Sequence, residues 1–377
     1  MRSNSRKLQG TLAVLLTGVT GFLGGAFLSQ LIDCSFDGEV VCLVRADDQD
    51  GAEDRVRRSV ARFGYRRSSL PDNVKVLRGD LLSKEWHTAP ELTNITHVLH
   101  LAASTSFGNH ASIRQTNVDG ALSVATAMRG RPLQRYIHTG TATICGGSPP
   151  NVVHEDDYPS SEATHLVAYT RSKAEAERQL AERFADLPLV IARPSIVVGD
   201  TRYGCKPSGS IFWVLRAIEA LGFIGWAPAN RVDVVPVDWA ASALNHLLFA
   251  PRLDHGRYHV SAGIGSAITW EQISAEHARI NGGPAQGRYE VGEIGQLTSQ
   301  RVKKAIGQGH ARHLLQALEL YSRFCSLDLV FDNSRLLASG VPAPPRFTDY
   351  MALCLDSSTN SIYEQMRVDL EATMALV

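Results

Sequence analysis

The run Val14-Leu15-Leu16-Thr17-Gly18-Val19-Thr20-Gly21-Phe22-Leu23-Gly24 constrains the fold more than any other segment. A short apolar stretch ends in glycines spaced Gly-x-x-Gly-x-x-Gly, and a helix-forming stretch follows. Glycine is needed where backbone turns sharply, approaches a ligand closely, or packs a helix tightly on a strand. The helix that opens there presents free N–H groups and a partial positive charge, a site suited to phosphate. The strand before, the helix after and the rhythm beyond together point to dinucleotide binding rather than a bare tight turn.

That rhythm runs through the first half. Strands are expected at Leu12 to Leu16, Glu39 to Val44, Val74 to Leu77, His97 to Leu101, Arg135 to His138 and Leu189 to Ala192. Helices are expected at Phe22 to Ile32, Gly51 to Gly64, Ile113 to Met128 and His165 to Phe184. Short apolar strands separated by helix-length segments give β-α-β units and a parallel sheet covered on both faces. The fold class is therefore α/β, a Rossmann doubly wound parallel sheet. After residue 200 the pattern loosens. An apolar helix is expected at Ile211 to Leu221, returning strands at Asp233 to Val237 and Tyr258 to Val260, and helical, irregular chain beyond Ser261. The expected division is a nucleotide-binding domain over 10–200 plus 233–262, with a smaller, mostly helical substrate lobe over 201–232 plus 263–377.

The second strand ends Cys42-Leu43-Val44-Arg45. An acidic residue here would bond both ribose hydroxyls of NAD, whereas a guanidinium suits a 2′-phosphate. Arg45 thus favours NADPH, with Arg55 and Arg57 as possible helpers. The wider cluster Arg55, Arg57, Arg58, Arg62, Arg66 and Arg67 also reads as a solvated helix face. Tyr169 and Lys173 lie four residues apart, on one face of a helix. An ammonium there is expected to favour the phenolate and lower the tyrosine pKa, making a phenol that can protonate a developing alkoxide. The fifth strand is expected to run on through Thr139, Thr141 and Thr143, whose hydroxyls face the crevice where such sheets bind ligands.

Taken together, these residues resemble the extended short-chain dehydrogenase/reductase superfamily. The resemblance rests on Thr17 to Gly24, Gly79-Asp80-Leu81, His100-Leu101-Ala102-Ala103, Thr116-Asn117-Val118-Asp119-Gly120, Tyr169 to Lys173 and Arg193-Pro194-Ser195, in order over roughly residues 10 to 260. It implies catalysis by Thr141, Tyr169 and Lys173. It implies cofactor contacts from Thr17, Gly18, Thr20, Gly21, Phe22, Leu23 and Gly24, with Asp80 and Leu81 flanking the adenine. Ala102 and Ala103 would line the nicotinamide side, Asn117 would support the active-site strand, Lys173 would also bond the nicotinamide ribose, and Pro194 and Ser195 would close over the nicotinamide. Within the superfamily the chain looks most like fatty acyl-CoA reductases and thioester-reductase domains, on Leu43-Val44-Arg45-Ala46, Arg193 to Val197, Val235-Pro236-Val237-Asp238 and the shorter late segments Tyr258 to Gly263, Ile268-Thr269-Trp270 and Phe331-Asp332-Asn333.

The expected function is NADPH-dependent reduction of an acyl thioester, bound to CoA or a carrier protein, to the aldehyde and on to the alcohol if the product stays. With no adenylation or carrier domain before residue 1, a carrier-bound substrate would arrive on another chain. The apolar residues Ile211, Phe212, Trp213, Val214 and Leu215 are expected either to wall an acyl channel or simply to pack the core. Two alternatives stay open: a ketone or alcohol oxidoreductase of the same superfamily, and a non-catalytic cofactor-binding sensor. Balanced charge, 38 basic against 38 acidic residues, speaks against a nucleic-acid partner. The six cysteines form no C-x-x-C pair and read as isolated thiols. His97, His100, His310 and His313 show no metal-site pattern, so no metal is assigned. Met1 to Gly10 carries no apolar signal stretch, and Ile211 to Trp226 is too short and too charged to span a bilayer, so a cytoplasmic location is expected.

Overall fold

The computed structural model describes residues 12–107, 110–160, 162–283, 289–307 and 311–372. Met1 to Gly10 and His310 lie outside them. Strands β1 (Ala13–Thr17), β2 (Glu39–Val44) and β3 (Val74–Arg78) alternate with helices α1 (Phe22–Asp33) and α2 (Gln49–Ala61). Then come β4 (His97–His100), α3 (Ala111–Arg114), α4 (Gly120–Met128), β5 (Arg135–Thr139), β6 (Val152–Val153), α5 (Ala168–Arg183) and β7 (Leu189–Pro194). The order continues with β8 (Ile196–Val197), α6 (Phe212–Leu221), β9 (Phe223–Ile224), β10 (Arg231–Val232), β11 (Val234–Val235), α7 (Val237–Phe249) and β12 (Arg257–Val260).

The main sheet has the order β12-β7-β5-β4-β1-β2-β3, and every pairing in it is parallel. The chain builds outward from β1 to β3, then returns to place β4 on the other side of β1. That reversal opens a crevice at the carboxyl ends of β1 and β4, where open α/β sheets bind ligands. Both faces are covered. One core joins the sheet to α1, α2 and α7 through Phe27, Leu28, Val56, Leu244 and Leu248. The opposite core joins it to α4 and α5 through Leu15, Val98, Val124, Ala176 and Leu180. Burial on both faces explains why the strands read as continuous apolar runs rather than alternating ones.

A third core lies beyond the sheet. It unites α6 with α9 (Trp270–Asn281), α10 (Ser299–Ile306), α11 (Ala311–Cys325), α13 (Phe347–Ser357) and α14 (Ile362–Ala372), with the short helices α8 (Gly263–Ser266) and α12 (Ser334–Ala338) between them in the chain. Phe212, Trp213, Val214 and Leu215 are buried in it. This region is less irregular than its sequence suggests. The short strands β13 (Ile268–Thr269), β14 (Glu290–Val291) and β15 (Val330–Phe331) pair with β10, β9 and β6. Residues 233–237 do not form one strand: Asp233 separates β10 from β11, and Val237 already starts α7.

Helix starts follow local chemistry. Asp48 caps α2 by accepting from the Gly51 N–H at 2.7 Å, so the helix begins two residues before Gly51. Thr269 and Gln272 form a reciprocal capping box on α9, at 3.2 and 2.9 Å. The expected helix Ile113 to Met128 is interrupted by a wider π-type turn over Gln115–Asp119. Such turns recur at functional sites, and here the turn carries Asn117. Among the described residues, no helix is long and apolar enough to cross a membrane.

Candidate active site

A cavity of about 770 Å³ opens at the carboxyl end of the sheet. At one end its wall is Gly18, Thr20, Gly21, Phe22, Leu23 and Gly24. Gly18 has φ +74°, and a Cβ there would sit 2.5 Å from the Ala102 nitrogen. A Cβ on Gly24 would sit 2.3 Å from the Gly18 carbonyl oxygen. Both positions require glycine, one for conformation and both for space. Gly21 precedes α1 and supplies no side-chain cap, leaving the first-turn N–H groups directed at the cavity end. Arg62 braces the turn from α2, donating to the Thr20 and Gly21 carbonyls at 2.9 and 3.1 Å. Thr17 stands behind the wall: its Oγ1 lies 2.7 Å from His100 Nδ1 and accepts from the Ala102 N–H at 3.2 Å. It thereby fixes the loop whose Ala102 and Ala103 do line the cavity.

The cationic rim is only partly as expected. Arg55 and Arg58 line the cavity. Arg45, Asp80 and Leu81 stand outside its wall. Arg45 approaches Asp80 at 3.9 Å, and Arg55 donates to the Arg45 carbonyl, so the three side chains gather just past the end of β2. Leu81 packs beside Gly120. Arg57 turns away to Asp54 and the Ser68 carbonyl.

Tyr169, Lys173 and Thr141 meet at the middle of the cavity. Strand β5 ends at Thr139 rather than running to Thr143. A tight turn follows, with Thr141 at its start, and this brings the Thr141 and Thr143 hydroxyls 2.9 Å apart. Thr141 also hydrogen-bonds the Tyr169 phenol. Lys173 is buried and donates to the Thr139 carbonyl at 2.7 Å. Burial pushes the Tyr169 phenol up to about 12, and the Thr141 bond offsets this only in part. Burial also pulls Lys173 down to about 8, opposed by the Glu177 carboxylate. The expected lowering of the tyrosine pKa by its lysine is not found: desolvation raises it, and the one opposing influence comes from Thr141. At neutral pH the pair stands as phenol and ammonium.

Two networks hold this pair. Asn117 accepts from the Ser104 N–H at 2.7 Å and donates to the Ser104 carbonyl and Ser172 Oγ, both at 2.9 Å. Ser172 in turn donates to the Tyr169 carbonyl at 2.7 Å. One turn past Lys173, Glu177 forms a buried ion pair with Arg193 at 2.8 Å, and Arg193 also donates to the Glu155 carbonyl at 3.1 Å. Arg193 directly precedes Pro194 and Ser195, which line the cavity. The ion pair therefore ties α5 to β7, the strand bordering the crevice.

The far end is apolar and aromatic. Phe107 stacks on Phe324 at 5.3 Å, meets Tyr321 at 5.2 Å and lies 6.2 Å from Tyr169, centroid to centroid. Ile196, Ile211, Val232 and Phe331 complete that wall. Of the five residues expected either to wall a channel or to pack the core, Ile211 alone reaches the cavity. The next four turn into the third core, because α6 spends its apolar faces on α10 and α14. Sequence reading missed Phe107, Tyr321 and Phe324, which come from a loop and a distant helix with no local motif. It also missed Asp233, a buried carboxylate at the cavity wall. Asp233 accepts from the Ala262, Gly263 and Phe331 N–H groups at 2.6, 3.3 and 3.1 Å. Burial raises it to about 6 despite these donors.

Residues 16–244 match the model of the NAD-binding family described as Male sterility protein. The chain belongs to this family. With it comes membership of the extended short-chain dehydrogenase/reductase superfamily. The chain is 27% identical over 266 residues to the non-canonical nonribosomal peptide synthetase FrzA of Cladobotryum sp., a match covering 66% of this chain and 26% of that protein. It is 29% identical over 266 residues to the glycine betaine reductase ATRR of Emericella nidulans, covering 66% of this chain and 21% of the relative. The chain thus spans about a quarter or less of the length of these relatives. In structure it is similar to the terminal R domain of the myxalamid PKS-NRPS pathway, with a TM-score of 0.74 at 22% identity, covering 93% of this chain and 91% of that one.

The family's cofactor is a nicotinamide dinucleotide, and the residues present fit one. The glycine turn leaves no room for side chains beneath a pyrophosphate. The uncapped start of α1 offers N–H donors to it. Thr139 Oγ1 is buried without a protein partner beside Lys173, an unmet polar group at the sheet end of the cavity.

Proposed function

We propose that the protein is an NADPH-dependent reductase of acyl thioesters, giving the aldehyde and, when that product is retained, the alcohol. The observation that carries this reading is the single cavity joining the glycine turn, the Tyr169–Lys173–Thr141 group and an apolar chamber. In this reading Gly18 to Gly24 cradle the pyrophosphate, Arg45, Arg55 and Arg58 face the 2′-phosphate, and Ala102, Ala103, Pro194 and Ser195 border the nicotinamide. When bound, the dinucleotide supplies a hydride.

The protein's own residues manage the oxygen. Thr141 and Tyr169 donate to the thioester carbonyl, favouring charge as it develops there. A phenol near 12 keeps its proton through the neutral range and yields it to an alkoxide, which is more basic. The Lys173 ammonium stabilises the phenolate that remains. The hemithioacetal so formed collapses, its C–S bond breaking to release aldehyde and thiol. The apolar chamber beside Phe107 excludes water and receives the acyl group. The relatives named as nonribosomal peptide synthetases support a carrier-bound thioester, alongside CoA esters, as the form presented.

The test follows NADPH absorbance with a panel of acyl-CoAs and a carrier-bound thioester while a thiol reagent reads released thiol. Matched oxidation and thiol release, lost in Tyr169→Phe, is the expected result. Oxidation with aldehydes or ketones alone, without thiol release from any thioester, overturns the reading in favour of a carbonyl reductase.

A further inference from the structure

Cys205 and Cys354 are far apart in sequence and read there as isolated thiols. The fold brings them together. Cys205 follows the tight turn closed by the Asp200–Gly204 bridge, and Cys354 lies in α13. The Cys205 N–H donates to Ser357 Oγ at 2.8 Å, one helical turn past Cys354. A Cβ on Gly204 would sit 2.5 Å from the Leu353 carbonyl oxygen, and one on Gly199 would sit 2.5 Å from Cys354 Sγ. Loop and helix are therefore in backbone-close contact on both sides of the pair, and the two buried thiols interact, each being the first influence on the other's acidity. We infer that Cys205 and Cys354 form a reversible disulfide that pins the loop leading into the cavity wall onto α13.

The next residues along that loop give the bond a consequence. Ser208, Ser210 and Ile211 line the cavity, and Ser210 holds φ +44°, a conformation other residues than glycine rarely adopt. Cys354 does most to lower the Cys205 pKa, with Ser358 and then Arg216 adding to it against the opposing effect of burial, and this favours the thiolate that begins oxidation. With a peroxide as oxidant, the Cys205 thiolate attacks an oxygen, the O–O bond breaks, and a sulfenic acid and hydroxide form, the hydroxide taking up the proton that Cys205 had released to give water. The Cys354 thiol then attacks that sulfur, the S–S bond forms and a second water leaves. Two thiols have lost two electrons and two protons, and the peroxide has taken up both.

The full-length protein is treated with hydrogen peroxide, alkylated after denaturation and digested without reductant. Mass spectrometry is expected to find the peptides of Cys205 and Cys354 joined, the link vanishing with dithiothreitol and in Cys205→Ser but persisting in Cys34→Ser. The oxidised protein is expected to melt roughly 4 °C higher, since the bond closes a long loop. Cys34 is exposed and serves as the internal control. Recovery of Cys205 and Cys354 as two alkylated thiols under conditions that oxidise Cys34 overturns the inference. So does a joined pair that leaves the melting point unmoved, because the loop would then not be tethered.

Discussion

At the nucleotide end of the cavity six wall residues come from one stretch, Gly18 to Gly24. At the far end Phe107, Ile196, Ile211, Val232, Tyr321 and Phe331 come from six separate segments. The first end is a local structure: a strand, a turn and a helix whose requirements are met within a few residues. The second exists only after the third core has assembled and set α11 against the loop after β4. A pyrophosphate site built from backbone tolerates little change, whereas a chamber built from scattered side chains can be reshaped one residue at a time. The Tyr169–Lys173 pair stands between the two.

The sharpest test of that division strikes the junction. Tyr169→Phe keeps the ring and both ends of the cavity but removes the proton. Turnover is expected to fall roughly 10³-fold while dinucleotide binding, followed by fluorescence, stays within about twofold of wild type. An equal loss of binding would show that the junction is not separable from the nucleotide end. Next in size, Gly18→Ala places a methyl group against the Ala102 backbone at a positive φ. Dinucleotide affinity is expected to drop about 30-fold, with the thioester KM measured at saturating cofactor little changed.

A pH profile separates the two members of the pair. Lys173 loses its charge as pH rises through about 8, whereas Tyr169, near 12, does not titrate there. Turnover is expected to decline above about pH 8, approaching tenfold per unit, and to hold on the acid side down to neutral pH and below. A flat profile to pH 10 would mean that the bound cofactor restores the lysine charge. The smallest effect belongs to the far end. Phe107→Ala removes one aromatic wall contact and is expected to raise KM for apolar thioesters about fivefold, leaving dinucleotide affinity alone. A change in cofactor affinity instead would erase the distinction between the ends.

How much was legible follows the same division. Glu39 to Val44 is a strand with the bounds its composition implies, and the Phe22 helix differs by one residue at its end. The Tyr-x-x-x-Lys spacing places both side chains on one helix face, and the turn after β5 sets Thr141 in the wall of the same cavity. What the sequence left open or misjudged lies where distant contacts decide. For the residues after Ile211 it left channel wall and core packing both open, and contacts with α10 and α14 decide for the core. The phenol pKa depends on burial, which spacing does not reveal. Asn117 reaches Ser104 and Ser172 only because a π-type turn widens its helix.

By itself, then, the sequence determined the parallel sheet, the glycine turn and the helical spacing of Tyr169 and Lys173, since each depends on residues close together in the chain. Only the tertiary structure decided what closes the cavity, how the pair is charged and which cysteines meet. Those outcomes depend on desolvation and on contacts between segments far apart in the chain, about 150 residues for Cys205 and Cys354 and more than 200 for Phe107 and Tyr321. No local pattern encodes such contacts, because each side chain takes its partner from whichever surface the rest of the fold leaves facing it.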